Sequence, residues 1–63
     1  MDNQATGLFI KQLRTEKNLT QKELADRLHV TDKAVSKWER GLSLPAVDLL
    51  QPLSQALGIS VVE

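Results

Sequence analysis

The stretch VTDKAVSKWERG, Val30 to Gly41, carries hydrogen-bond donors at helical spacing. At about 100° per residue, Lys33, Ser36, Lys37 and Arg40 fall within an arc of roughly 100°. Ala34, Val35 and Trp38 fill the neighbouring arc. A helix built this way is anchored by its apolar side and presents the other, cationic and donor-rich, to something outside. That chemistry suits recognition of a negatively charged, acceptor-rich partner. Residues for bond making do not accompany it. His29 is the sole histidine and there is no cysteine, so a metal site cannot be completed and no disulfide can form. Ser36, Ser43, Ser54 and Ser60 lack a base to activate them. The chain is expected to be no enzyme, to need no cofactor and to hold no small-molecule ligand.

Eight Lys and Arg balance eight Asp and Glu, which by itself counts against a nucleic-acid partner. Their distribution points the other way. All eight cations lie between Lys11 and Arg40 with only five acids among them, an excess of three positive charges. A polyanion responds to the local field on one face rather than to net charge. With 63 residues, the chain reads as one domain, 1–63, near the size at which a single core only just outweighs chain entropy. The core must come from close helix packing, with Leu13, Leu19, Leu24, Leu28, Val35, Trp38, Leu49, Leu53 and Leu57 as candidates. No apolar run approaches the roughly 18 residues of a membrane span, and no signal-peptide pattern is present. A cytoplasmic location without a membrane partner is the expectation.

Four helices can be read, with the stub of a fifth. The first runs from about Gln4 to Lys17, capped by Asp2 or Asn3, with Phe9, Ile10 and Leu13 as an inward stripe. Gly7 weakens it by up to about 1 kcal/mol relative to alanine. The second opens on a capping box, TQKE, in which Thr20 and Glu23 satisfy each other's amides. Leu24, Ala25 and Leu28 form its apolar face. After the short turn LHVT the third begins at Thr31, and Gly41 is placed to end it in the left-handed conformation. LSLP is a loop. The fourth helix reads VDLLQPLSQALG, and Pro52, which cannot donate to the carbonyl four residues back, must sit near its start. The cap is therefore placed at Asp48, with Gln51 completing a second box-like spacing and Gly58 closing the helix. ISVVE reads as the beginning of another element.

From Thr20 to Arg40 the residue types meet the needs of a helix-turn-helix. Ala25 is small where two helices would cross, His29 stands at the turn, and Leu24, Leu28, Val30, Val35 and Trp38 point to the junction. Such a pair places its second helix for the DNA major groove. LTQKELADRLHVTDKAVSKWERGLSLP followed by LLQPLSQALGIS resembles the Cro/repressor (XRE-type) helix-turn-helix domains of phage and bacterial regulators, over roughly Phe9 to Val61. The resemblance implies an all-α, lambda-repressor-like bundle of four to five short helices that binds double-stranded DNA site-specifically. Asp32, Lys33 and Lys37 take the first, second and sixth positions of the recognition helix, where the family reads base edges. Lysine suits guanine O6 and N7, and aspartate can accept from cytosine N4. Gln21 would meet a phosphate with its side chain and backbone amide. Arg40 and Ser43 would flank the groove on phosphates, with Lys22 and Ser36 in the same set. Arg14 and Glu39 match a family pair that joins the first helix to the end of the third. The turn position that the family fills with glycine is His29, a residue type enriched at positive φ. A strain of about 1 kcal/mol is expected there rather than a different fold.

Plainer readings stand beside these. Lys33, Lys37 and Arg40 could be a solvated helix face, and Asp32 could only favour the positive end of its helix. Gln21 could be a helix former after its cap. Trp38 could stack on a single-stranded base, but its alignment with Ala34 and Val35 makes it core. The function implied is transcriptional regulation, read first as repression, by a homodimer on a palindromic site, with this chain the DNA-binding part of a longer regulator or a complete small one. The alternative is a protein-protein interaction module that keeps the fold without binding DNA.

Overall fold

In the computed structural model, which describes residues 2–59, α1 (Asn3–Glu16), α2 (Gln21–Leu28), α3 (Asp32–Glu39) and α4 (Leu50–Leu57) follow one another with no strand among the described residues. Starts are set by short polar side chains. The Gln4 amide donates to Asp2 Oδ1 at 2.9 Å. Thr20 and Glu23 form both halves of the capping box, the Thr20 amide donating to Glu23 Oε1 at 2.8 Å and the Glu23 amide to Thr20 Oγ1 at 3.0 Å. The Ala34 amide donates to Thr31 Oγ1 at 3.1 Å.

All four helices end alike. Asn18, His29, Gly41 and Gly58 stand at positive φ, and the amide of the following residue reaches back five positions to a carbonyl. Leu19 donates to Arg14, Val30 to Ala25, Leu42 to Lys37 and Ile59 to Ser54, at 2.9–3.1 Å. This closure satisfies carbonyls left open at a helix end, and its donor is each time an apolar residue. His29, at φ 58° and ψ 40°, takes the left-handed conformation expected of it, and Asn18 does the same at the end of α1.

The core is Ile10, Leu19, Leu24, Ala25, Leu28, Val35, Trp38, Leu53 and Leu57, with Leu13, Val30, Ala34 and Leu49 half-buried around it. α1 and α2 both pack on α3, and α4 closes the core from the side of α2. Three expectations need correction. Phe9 is 52% exposed because the buried side of α1 is Gly7, Ile10 and Arg14, and Phe9 lies about 100° round the helix from Ile10. Asp48 does not cap α4. It lies inside a single 3₁₀ turn, Val47–Leu49, that runs into the helix, and neither the turn nor α4 has a side-chain cap. Gln51 accordingly completes no box. Pro52, third in α4, sits where the missing N–H had no intrahelical partner. The expected fifth element, in ISVVE, lies mostly outside the described residues.

Gly7 has a reason that helix propensity conceals. A methyl group there would strike the Trp38 carbonyl oxygen and stand 2.9 Å from that of Glu39, so α1 crosses the end of α3 with no room for a side chain. Gly7→Ala is expected to lower the melting temperature, although alanine is the better helix former by about 1 kcal/mol; a rise would mean that the crossing relaxes freely. Trp38, 4% exposed, should cost about 3–5 kcal/mol on truncation to alanine, enough to unfold a domain this small, and a mutant with normal thermal melting would contradict its burial. Hydrogen bonds from the Thr20 backbone and then from its hydroxyl, helped by the Arg27 charge, hold the Glu23 carboxyl below its usual 4.5. A carboxyl with a lowered folded-state pKa stabilises above its unfolded value and loses that contribution as pH falls below it. Melting curves between pH 6 and 3 should therefore fall less steeply for Glu23→Gln than for the wild type, and parallel curves would remove the capping carboxylate from the acid response.

Candidate nucleic-acid interface

The two sides of α3 have opposite fates. Val35 is wholly buried and Trp38 nearly so, and Ala34 packs half-buried against the core. On the other side Lys33, Lys37 and Arg40 are exposed, Ser36 is half-buried, and Asp32 is exposed at the first position. Arg40 folds back along the helix, its Nε donating to the Ser36 carbonyl at 3.3 Å. Lys33 and Lys37 carry their charge outward on a helix that the core prevents from rolling.

At the start of α2, Lys22 is exposed and pairs with Asp26 at 3.6 Å, with both side chains in solvent. An exposed pair of this kind contributes about 0–1 kcal/mol and leaves the ammonium free to exchange partners. Gln21 is half-buried, as is Ser43 beyond the end of α3. The amides of Gln21 and Lys22 belong to the first turn, where no intrahelical acceptor exists.

Between α1 and α3 lies the one buried ion pair among the described residues. Arg14 Nε donates to Glu39 Oε2 at 2.6 Å and Nη2 to Oε1 at 3.0 Å, a two-pronged geometry. The third guanidinium nitrogen, Nη1, donates to the Leu19 carbonyl at 2.7 Å, tying down the connection into α2. Glu39 Oε1 also accepts from Gln21 Nε2 at 3.0 Å. One carboxylate thus joins α1, α3 and the first residue of α2. No buried side-chain nitrogen or oxygen among the described residues lacks a partner, the condition under which a buried pair is tolerable. The Gln21–Glu39 bond was not foreseen, since no local pattern links residues 18 apart.

Two other places bear on function. An apolar groove of about 380 Å³ runs between α1 and the segment leading into α4, lined by residues including Phe9, Leu44, Val47 and Leu50, and no ionisable side chain lines it. Thr6 and Ser54 are the polar residues of its lining. Among the described residues no group of three or more His, Cys, Asp or Glu is placed to hold a metal, and no helix is long and apolar enough to cross a membrane.

The chain is similar to several regulators. It is 43% identical over 54 residues to the HTH-type transcriptional activator BcrR of Enterococcus faecalis, a match that covers 86% of this chain and 26% of that protein, so the chain spans about a quarter of that relative's length. It is 46% identical over 57 residues to the uncharacterized HTH-type transcriptional regulator y4dJ of Sinorhizobium fredii, covering 90% of this chain and 74% of the relative. Among solved structures, the P22 c2 repressor in complex with a synthetic operator superposes with a TM-score of 0.83 at 33% identity, covering 87% of this chain and 83% of that one. The family model described as helix-turn-helix matches residues 10–63. With its two capped helices, left-handed corner and locked third helix inside that match, this chain belongs to the XRE-type helix-turn-helix family.

Proposed function

We propose that this chain binds double-stranded DNA site-specifically with the outward side of α3 and serves as the DNA-binding part of a cytoplasmic transcriptional regulator. The observation that carries the reading is the locked helix with Lys33 and Lys37 exposed on the side away from Val35 and Trp38. A lysine pair on such a helix can reach guanine O6 and N7 in the major groove. Asp32, at the helix start, can accept from cytosine N4. Gln21 and Lys22, with the free amides of the α2 first turn, suit a phosphate on one flank. Arg40, Ser36 and Ser43 serve the other. The similarity to a repressor solved on its operator supports the same mode of docking here.

Regulation follows from occupancy. One domain of this size makes few contacts, and the usual scale of specific affinity then calls for two half-sites about 34 Å apart and a homodimer. Repression, by exclusion of polymerase from an occupied site, is the simplest consequence, although BcrR carries the name of an activator. The second reading, a protein-interaction module without DNA binding, draws support from the groove and from exposed Leu42, Leu44, Val47 and Leu50.

Titration of duplex DNA at increasing salt separates the two. DNA binding predicts an affinity that falls with a log–log slope of about −0.9 for each phosphate neutralised, and flat or absent binding would leave the interaction module. With a consensus duplex selected from a random pool, Lys37→Ala should relax preference at one base pair by about 1–3 kcal/mol. An equal loss on every sequence would make Lys37 a phosphate contact instead.

A further inference from the structure

We propose that Glu39 is a positioning residue for DNA binding, holding the Gln21 carboxamide ready for a phosphate; this rests on the DNA-binding reading above. The orientation of the amide is chemically forced. A carboxylate only accepts, so the end of Gln21 that faces Glu39 Oε1 at 3.0 Å must be its nitrogen. One N–H of that nitrogen is thereby used and the other is left to donate. A phosphate oxygen also only accepts, so this second N–H is the group Gln21 can offer to a DNA backbone.

Two features suit Glu39 to the task. Arg14 grips both of its oxygens, so the carboxylate cannot swing, and its side chain is 3% exposed. Arg14 also offsets its charge locally, so an anion near Gln21 meets a neutral pair rather than a bare carboxylate. A free glutamine has three rotatable bonds to freeze on binding, and fixing them beforehand spares that loss. Burial alone would not require the contact, because a half-buried glutamine amide can be satisfied by water.

The test is a double-mutant cycle on a 20-bp duplex of mixed sequence. Replacing the pair together, Arg14→Met with Glu39→Leu, removes the acceptor without leaving a lone buried charge and without changing net charge. Gln21→Ala should weaken binding about tenfold. The apolar pair with Gln21 intact should weaken it by a similar factor, and the triple variant by no more than either. Losses that multiply to about a hundredfold, or an apolar pair that binds like the wild type, would overturn the positioning role while leaving DNA binding intact. A wild type that binds no duplex removes the DNA-binding reading and this inference with it. Should the apolar pair fail to fold, the Gln21 carboxamide protons of the wild type decide. Slow solvent exchange of one of its two carboxamide protons, before and after duplex is added, supports the role. Exchange of both protons as fast as in a fully exposed glutamine overturns it.

Discussion

The contact between Arg14 and Glu39 is the constraint on which the rest of the structure depends. Two charges taken out of water are costly unless each is surrounded by partners, and replacing such a pair by apolar residues is often harmless to stability. Its effect here is geometric. Arg14 reaches α3 through Glu39 and the chain entering α2 through Leu19, so one guanidinium fixes the relative placement of three helices. An apolar contact in the same place would hold them together without fixing their register, because apolar packing is not directional. Gly7 complements the pair by letting α1 approach the end of α3 at backbone distance.

The corners follow a single device. Each helix ends on one residue in the left-handed conformation and closes back on itself within five positions. This closure turns the chain with one special residue while satisfying carbonyls. Glycine serves twice. Asparagine and histidine serve at the other two corners, the types that tolerate this conformation best among residues with a side chain.

Much of this was legible in the sequence because the signals were local. Thr20 with Glu23, Thr31, Gly41 and Gly58 each mark a boundary through contacts within a few residues, and the two sides of α3 follow from helical periodicity. The misses were non-local or came from residues whose type misleads. Arg14 and Gly7 occupy the buried side of α1, so a count of apolar residues turned Phe9 inward when it faces out. Asp48 looked like a cap, but a 3₁₀ turn already continues into α4 and leaves it no role. The Gln21–Glu39 bond joins two helices through space. Only the family resemblance brought Arg14 and Glu39 together in advance, and nothing in the sequence pattern announced the third member.

The two-sided character of α3 also bears on how such a protein can change. Its outward residues, Asp32, Lys33, Lys37 and Arg40, are all exposed and take no part in the core, whereas Val35 and Trp38 on the inner side supply it. Drift at the outer positions is therefore nearly free of consequence for folding. One scaffold can acquire a new target through a few substitutions, whereas changes in its interior carry the cost of a cavity or of overpacking.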